Sequence, residues 1–489
     1  MNLYLRDDGV LRHEFGMGKS GSGKTQYLLH RLRQVMARGG GAMIVDAKLD
    51  YEFLHDLWSL AYAYGRQYDM RVVNIDDASI SHTYNPLLRG DGESVTDRFV
   101  NTVDTGTPGG SGEHFKTQAR ISLLPTIAAI KFLNMAYTPL DLFILMTNPN
   151  AMEWLLKELR TKDNHSEEYL NYAMYLDSQR DKNRDGAYEI NMAKLKQQTF
   201  GVAGRLLPYG QQEMGKVMNT YNPEVDLLEA IANNQIIFFM LPTLEKNESS
   251  IAFAKLFLSD LRSCIATIYR DPVAYKPLIP YEIYLDEFGS YAMLSVAQLF
   301  EMARGANIAL LPFFQTVANL TRLGDEFAIQ IMENTEIKTF LNLGGKDSRN
   351  EAAEISGEVL RYMKSVSKNE GRGLSNTHLD SDLFSKVSHS EGVSTGYKQT
   401  YDYKVRPEVF ENLGPGESVV LIGGRAFKIK LPMVEPDVKK RYERIRYRKP
   451  SVIGLSLIDR FETEFSLLNT GVKKSNATDK ENTAGESVH

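Results

Sequence analysis

One cysteine, Cys264, stands in 489 residues. No intrachain disulfide can form, and a zinc site built on several cysteines is excluded. Such usage fits a reducing, cytoplasmic compartment. The nine histidines show neither HExxH nor His-x3-His spacing, so no transition-metal site is expected. A long hydrophobic run is also missing. The most apolar stretch, Ile121 to Met146, is broken by Pro125, Lys131, Pro139 and Asp141. It falls short of the ~20 apolar residues that cross a bilayer, so a pair of buried helices is expected there. The opening residues do not read as a secretory signal. Nor is there an excess of positive charge: 57 Lys and Arg face 62 Asp and Glu, for a net −5. A nucleic-acid-coated surface is therefore not expected, and any such contact rests on a local patch or a pore lining.

What is present is an ordinary globular mix, 43% hydrophobic and 24% charged, in a chain long enough for roughly three domains of ~150 residues. No internal repeat is visible. Strand and helix signals alternate at first. LRHEFG (Leu11 to Gly16) reads as a strand, KTQYLLHRLRQVMARG as a helix with Leu28, Leu29, Leu32 and Met36 on one face. GAMIVD (Gly41 to Asp46) has the unbroken apolar character of a buried parallel strand. A helix at YEFLHDLWSLAYAYG and a strand at MRVVNID follow. From about Ser94 to Ala232 the signals are helical only, and an inserted all-helical domain is expected. Alternation resumes with strands at QIIFFML, YEIYLD, NIALLPFF and EIKTFLNLG, and helices at IAFAKLFLSDLRSCIATIY, MLSVAQLFEMAR and SRNEAAEISGEVL. The polar stretch Gly371 to Gly396 reads as a long surface loop. YKQTYDYKV, SVVLIGG and AFKIKLP read as late antiparallel strands at a sheet edge. From about Thr470 the tail is almost free of apolar residues and is expected to be disordered. The expected fold class is α/β: a P-loop NTPase domain in two parts, 1–93 and 233–450, with a largely parallel central sheet. The all-α insertion occupies 94–232 and a mostly disordered extension 451–489.

GKSGSGKT, Gly18 to Thr25, satisfies G-x-x-x-x-G-K-[ST] in full. A polyphosphate is a dense negative charge, and main-chain N–H groups must converge on it without intervening side chains. Gly18, Lys19, Ser20, Gly21, Ser22 and Gly23 form that nest, and the following helix adds its positive end. Lys24 reaches the β and γ phosphates of ATP, and Thr25 offers a hydroxyl to Mg²⁺. A second, acidic element should complete the site. YEIYLDEF supplies it: Asp286 to hold Mg²⁺, partly through water, and Glu287 to activate or orient the attacking water. Gln315, at the tip of NIALLPFFQ, would sense nucleotide state or position water; a plain turn residue is the competing reading. Arg304 would reach a neighbour's nucleotide as a finger in trans, or simply suit a solvated helix C-terminus.

These pieces, taken in order, resemble the coupling proteins of type IV secretion and conjugation, the TraD/TraG-type hexameric ATPases. FGMGKSGSGKT carries the resemblance, with MIVDAKLDYEFL and its Asp46, Lys48 and Asp50. SHTYNPL (Ser81 to Leu87), SGEHFKTQARISLL, FFMLPTLEKNESSIAFAKLFLSDL, YLDEFGSY and PFFQT complete it. The similarity runs from about Phe15 to Leu431. The phosphate loop and acidic motif are shared by many NTPases, so the order of the other pieces is the more telling part. The resemblance implies a RecA-like motor with an all-α cap, assembled as a homo-oligomeric ring of six with ATP between subunits. It implies DNA with its relaxase, or effector proteins, as cargo, and secretion-channel and membrane-anchor subunits as partners. Family members usually carry a transmembrane hairpin ahead of the motor. Seventeen residues precede Gly18 here, which leaves three readings: the anchor belongs to a part of the protein missing from this sequence, it is a separate subunit, or this member is soluble. The expected location is the cytoplasmic face of the inner membrane, with no transmembrane segment in this stretch.

KKRYERIRYRK, Lys439 to Lys449, interleaves seven basic residues with Tyr442 and Tyr447. Such a run can neutralise phosphates and stack bases, meet anionic lipid heads, or be a solvated helix. The tail after Thr470 can serve an adaptor or serve nothing. Two other functions share the motifs: a ring DNA pump or secretion ATPase of the FtsK/HerA or VirB kind, and a docking platform that binds nucleotide with little turnover.

Overall fold

The computed structural model describes residues 5–103, 111–182, 186–374, 387–436 and 438–446, with side chains described for all but 103, 111–114 and 363–398. Its framework is a nine-stranded sheet in the order β13-β12-β9-β1-β8-β7-β2-β6-β3. The strands from β9 to β3 are all parallel: β1 (Glu14–Met17), β2 (Ala42–Asp46), β3 (Met70–Asn74), β6 (Ile236–Met240), β7 (Tyr281–Leu285), β8 (Ile308–Phe314) and β9 (Ile337–Phe340). The edge strands β12 (Glu417–Ile422) and β13 (Arg425–Lys430) run antiparallel. They are the SVVLIGG and AFKIKLP strands expected at an edge.

The parallel strands read as unbroken apolar runs because both of their faces are covered. Successive side chains point to opposite faces. Met43, Val45, Ile237, Phe239, Ile283, Leu285 and Leu310 join one core. Ala42, Ile44, Ile236, Phe238, Tyr284, Ala309 and Leu311 join the other. The second core is closed by the helices Lys24–Ala37 and Tyr51–Ala63 through Leu28, Leu29, Leu32, Phe53, Leu54 and Leu57. The first is closed by the helix Asn247–Arg270 and by the mostly helical segment between β3 and β6. That segment includes the helices Gly92–Val100, Ser111–Phe132, Pro139–Thr147 and Met192–Gly210. Its Arg98 is fully buried and sits 2.9 Å from Asp260, which also accepts from the Tyr84 hydroxyl at 2.7 Å. A second buried network holds the phosphate-loop helix to the sheet. Arg31 bridges Glu14 on β1 (3.1 Å) and Glu282 on β7 (2.8 Å), and Tyr27 donates to Glu14.

The helix pair expected within Ile121 to Met146 is present, and among the described residues no helix is long and apolar enough to cross a membrane. Several expectations are corrected. The segment 94–232 is not wholly helical: β4 (Arg180–Lys182) and β5 (Tyr188–Ile190) pair as a small hairpin. The polar stretch read as a surface loop lies largely in two 17-residue antiparallel strands, β10 (Glu358–Leu374) and β11 (Val387–Tyr403). Residues 375–386 lie outside the described set. The two strands form a sheet of their own, so neither needs an apolar face, and the period-2 signal is lost. YKQTYDYKV therefore belongs to this ribbon and not to the edge of the main sheet. The helix expected at SRNEAAEISGEVL spans Lys346–Ser356 and stops at Gly357, whose φ of 78° suits a residue without Cβ. MLSVAQLFEMAR contains only the short helix Ala297–Ala303 between 3₁₀ turns.

The basic segment is not a helix. Residues 439–446 run without regular structure as a strap across Tyr51–Ala63. Lys439 pairs with Glu52 and Asp56, each at 3.1 Å, and Lys440 lies 3.8 Å from the centre of the Tyr62 ring. Tyr442 is buried edge-on against Trp58. Arg444 pairs with Glu224 at 2.6 Å. Residues 447–449 and the tail after Thr470 lie outside the described residues.

Candidate functional site

The phosphate loop leaves β1 between the ends of β8 and β9. Gly18 N–H donates to Phe314 O at 3.1 Å and Lys19 N–H to Asn342 O at 2.9 Å. A Cβ on Gly18 would stand 2.6 Å from Ser22 Oγ and 3.0 Å from Leu341 Cβ, so a larger residue there would force Ser22 and its neighbours to shift. Gly23 caps the helix Lys24–Ala37 with φ 94°, and no side chain takes the helix's first N–H groups. Those donors, with no acidic residue in the first turn, are what an anion would meet. Lys19, Ser20 and Gly21 are exposed, and Ser22 and Lys24 are buried. The ammonium of Lys24 donates to Gly18 O at 3.1 Å.

β8 and β7 end beside this loop. Register pairs Met17 with Phe314 and Leu285 with Pro312. Asp286, fixed by its N–H to Val45 O at 3.1 Å, and Glu287 therefore arrive at the same edge. Glu287 adopts φ 51°, a strained conformation outside glycine. Its Oε1 lies 3.5 Å from Lys24 Nζ and accepts from Gln315 Nε2. Lys24, Asp286, Glu287 and Gln315 are thus brought together. Thr25, partly buried, is the next residue along the helix. Burial lowers Lys24 below the ordinary lysine value against the pull of Asp286 and Glu287. Burial would raise Glu287, but the Lys48 hydrogen bond, the Lys24 charge and the Gln315 amide bring it below the ordinary carboxylate value. Glu287 is thereby kept ionised, as a group that orients or activates water must be. The residues also fit a divalent cation. Asp286 Oδ1 is buried without a hydrogen-bond partner among the described residues, beside hard oxygen chemistry of the kind Mg²⁺ takes.

Asp46, Lys48 and Asp50 have no role that the sequence alone assigns. Lys48 Nζ lies 3.2 Å from Asp286 Oδ2 and 2.7 Å from Glu287 Oε1. Asp46 is buried and pushed up to about 6 by that burial, against two backbone hydrogen bonds. The available signal was position: an Asp-x-Lys-x-Asp run at the tip of the strand next to β7.

Arg304 does not join this group. It is exposed, in the 3₁₀ turn Arg304–Ala306 that precedes β8. The turn lies near His13, whose ring it influences, at the end of the sheet opposite Gln315. Within one chain it cannot meet the phosphate loop.

Residues 280–399 match the family described as the TraM recognition site of TraD and TraG. The type 4 coupling protein DotL of Legionella pneumophila is 22% identical over 382 residues, 70% of this chain. The chain spans about half, 48%, of that relative's length. The fold is similar to the bacterial conjugative coupling protein TrwB lacking its N-terminal 70 residues, with TM-score 0.58, 15% identity, and coverage of 88% and 86% of the two chains. It is similar also to TrwB in complex with ADP and Mg²⁺, with TM-score 0.58, 14% identity and coverage of 90% and 88%.

Proposed function

We propose, for a chain whose matches support the type IV coupling protein family, that it is the ATPase coupling protein of a type IV secretion or conjugation system. It hydrolyses ATP to recruit and move a relaxase–DNA complex or an effector protein to the secretion channel. It works as a homo-oligomeric ring, expected to be a hexamer, at the cytoplasmic face of the inner membrane, with channel and anchor subunits as partners. The likeness to DotL supports this reading over a ring DNA pump or a VirB-type secretion ATPase, and turnover separates it from a docking platform. The observation that carries the reading is the convergence of Lys24, Asp286, Glu287 and Gln315 at one sheet edge.

The main-chain N–H groups of Gly18 to Gly23 and the Lys24 ammonium hold the β and γ phosphates. The Thr25 hydroxyl and Asp286 would hold Mg²⁺, which when bound neutralises charge on the transferring phosphoryl group. Glu287, ionised and fixed by Gln315, orients the attacking water. Gln315, hydrogen-bonded to Glu287 and one residue past the carbonyl that anchors Gly18, feels the terminal phosphate. Arg304 completes a neighbour's site across the ring. TrwB with ADP and Mg²⁺ and with an ATP analogue supports these ligands.

The test is ATP turnover with and without single- and double-stranded DNA, alongside native mass at several concentrations. Turnover that rises with assembly and responds to cargo is expected. Absence of turnover in assembled protein, with nucleotide bound, would leave only a docking platform.

A further inference from the structure

The turn that leaves β2 is built to deliver one side chain. Asp46, 2% exposed, ends the strand. Its Oδ1 accepts the Lys48 N–H at 3.0 Å and its Oδ2 the Asp50 N–H at 2.6 Å. Asp50 then caps the helix Tyr51–Ala63 by accepting from Phe53 N–H at 3.0 Å. Between them Leu49 holds φ 60°, a conformation a leucine adopts only where its surroundings impose it. Both ends of the turn are pinned and its middle is strained.

β2 lies beside β7, with Val45 opposite Leu285. The pinned turn therefore passes the two carboxylates that follow β7. Lys48 Nζ contacts both, and its side chain is 38% exposed. Glu287 is then held by two ammonium groups, one from the start of the helix after β1 and one from the turn after β2, and by the amide after β8. A carboxylate beside a triphosphate is repelled unless cations share its surroundings. Lys48 adds that charge on the same oxygen, Oε1, that Lys24 approaches, while Asp286 Oδ1 keeps no hydrogen-bond partner among the described residues.

We propose that Lys48 is a positioning residue for the hydrolytic step: its ammonium fixes Glu287 and the Oδ2 of Asp286 where water is activated, and it adds little to nucleotide affinity. The substrate class, a nucleoside triphosphate, rests on the function proposed above; the positioning itself rests on the contacts of Lys48.

The full chain carries the test, as wild type, Lys48→Ala, Lys48→Arg, Glu287→Gln and the Lys48→Ala/Glu287→Gln double variant. Turnover of Mg-ATP, affinity for a fluorescent ADP, and the urea unfolding midpoint are measured for each. Lys48→Ala is expected to cut kcat by about 10- to 100-fold, the cost of a misplaced catalytic group, while KM and ADP affinity stay within about threefold. Lys48→Arg recovers part of the rate. In the Glu287→Gln background, where only the Asp286 contact of Lys48 is left to lose, Lys48→Ala costs a clearly smaller factor in rate than it does alone, and the unfolding midpoints of the pair are non-additive. An unchanged rate, an affinity that falls in step with the rate, or equal factors in both backgrounds overturns the proposal. If no variant, wild type included, binds nucleotide, the ATPase reading fails, and the midpoints decide alone: additive shifts overturn the Lys48–Glu287 link and non-additive shifts uphold it.

Discussion

Lys24, which opens the first long helix, and Glu287, which follows the seventh strand, face each other at 3.5 Å with side chains only 7% and 11% exposed. The contact depends on strand order. β1 and β7 are separated by β8 alone, so their carboxyl ends present loop and carboxylate side by side, where open α/β sheets place their ligands. The large helical segment between β3 and β6 adds sequence distance between the two without adding spatial distance.

Arg304 lies on the far side of β8, whose seven residues span about 20 Å. Any effect on turnover must therefore act between subunits. Arg304→Ala is expected to leave ADP affinity unchanged and to cut turnover of the assembled ring by orders of magnitude, as loss of an arginine finger does. Turnover is followed across protein concentrations that span assembly, with native mass read in parallel. Turnover equal to wild type in the assembled form would assign Arg304 to a solvated helix end.

His13 sets an acid limit on stability. Its Nε2–H donates to Phe300 O at 2.8 Å and its Nδ1 accepts from Leu310 N–H at 3.0 Å, so the neutral ring fits and a second proton does not. Burial lowers its pKa to about 4, the Phe300 hydrogen bond opposes this, and Arg304 adds to it. The unfolded chain takes up this proton at higher pH than the folded one. Stability from this group is therefore complete above about 6.5 and is lost as pH falls toward 4, by at most about 3 kcal/mol. Urea unfolding at pH 7.0 and 4.5 should show a smaller loss for His13→Gln than for wild type. Equal losses would contradict the assignment.

The strap 439–446 is expected to act in stability before it acts in binding. Tyr442→Ala should cost about 2–4 kcal/mol, as removal of a buried aromatic does. Arg441→Ala and Arg446→Ala, at exposed positions, should cost less than about 0.5 kcal/mol. Thermal and urea unfolding of the three variants checks this. A Tyr442→Ala protein as stable as wild type would mean that the strap is not docked in solution.

The parallel sheet was legible because each central strand buries both faces and leaves an unbroken apolar run in the sequence. The phosphate loop and the Asp286–Glu287 pair were legible because their chemistry demands fixed residue types at fixed spacing. The ribbon β10–β11 was not. Its ladder is made by main-chain groups, which leave no trace in a polar, glycine- and serine-containing sequence. The basic segment misled in a different way. Charge density suggested phosphate or lipid contacts or a solvated helix; the helix is absent, and Lys439, Lys440 and Arg444 contact Glu52, Asp56, Tyr62 and Glu224. Lys48 stayed without a role because its partners, Asp286 and Glu287, follow a strand that is adjacent in the sheet and remote in the chain. Arg304 was named from its place after a helix; which end of the sheet that helix finishes at is a matter of topology.

The most direct test compares wild type, Lys24→Ala and Glu287→Gln for Mg²⁺-dependent binding of a fluorescent ATP analogue and for phosphate release. The wild type should bind and release phosphate. Lys24→Ala should lose binding or turnover with its unfolding midpoint preserved. Glu287→Gln should bind at least as well as wild type while releasing phosphate at least about 100-fold more slowly. Phosphate release by Glu287→Gln at the wild-type rate would contradict the account.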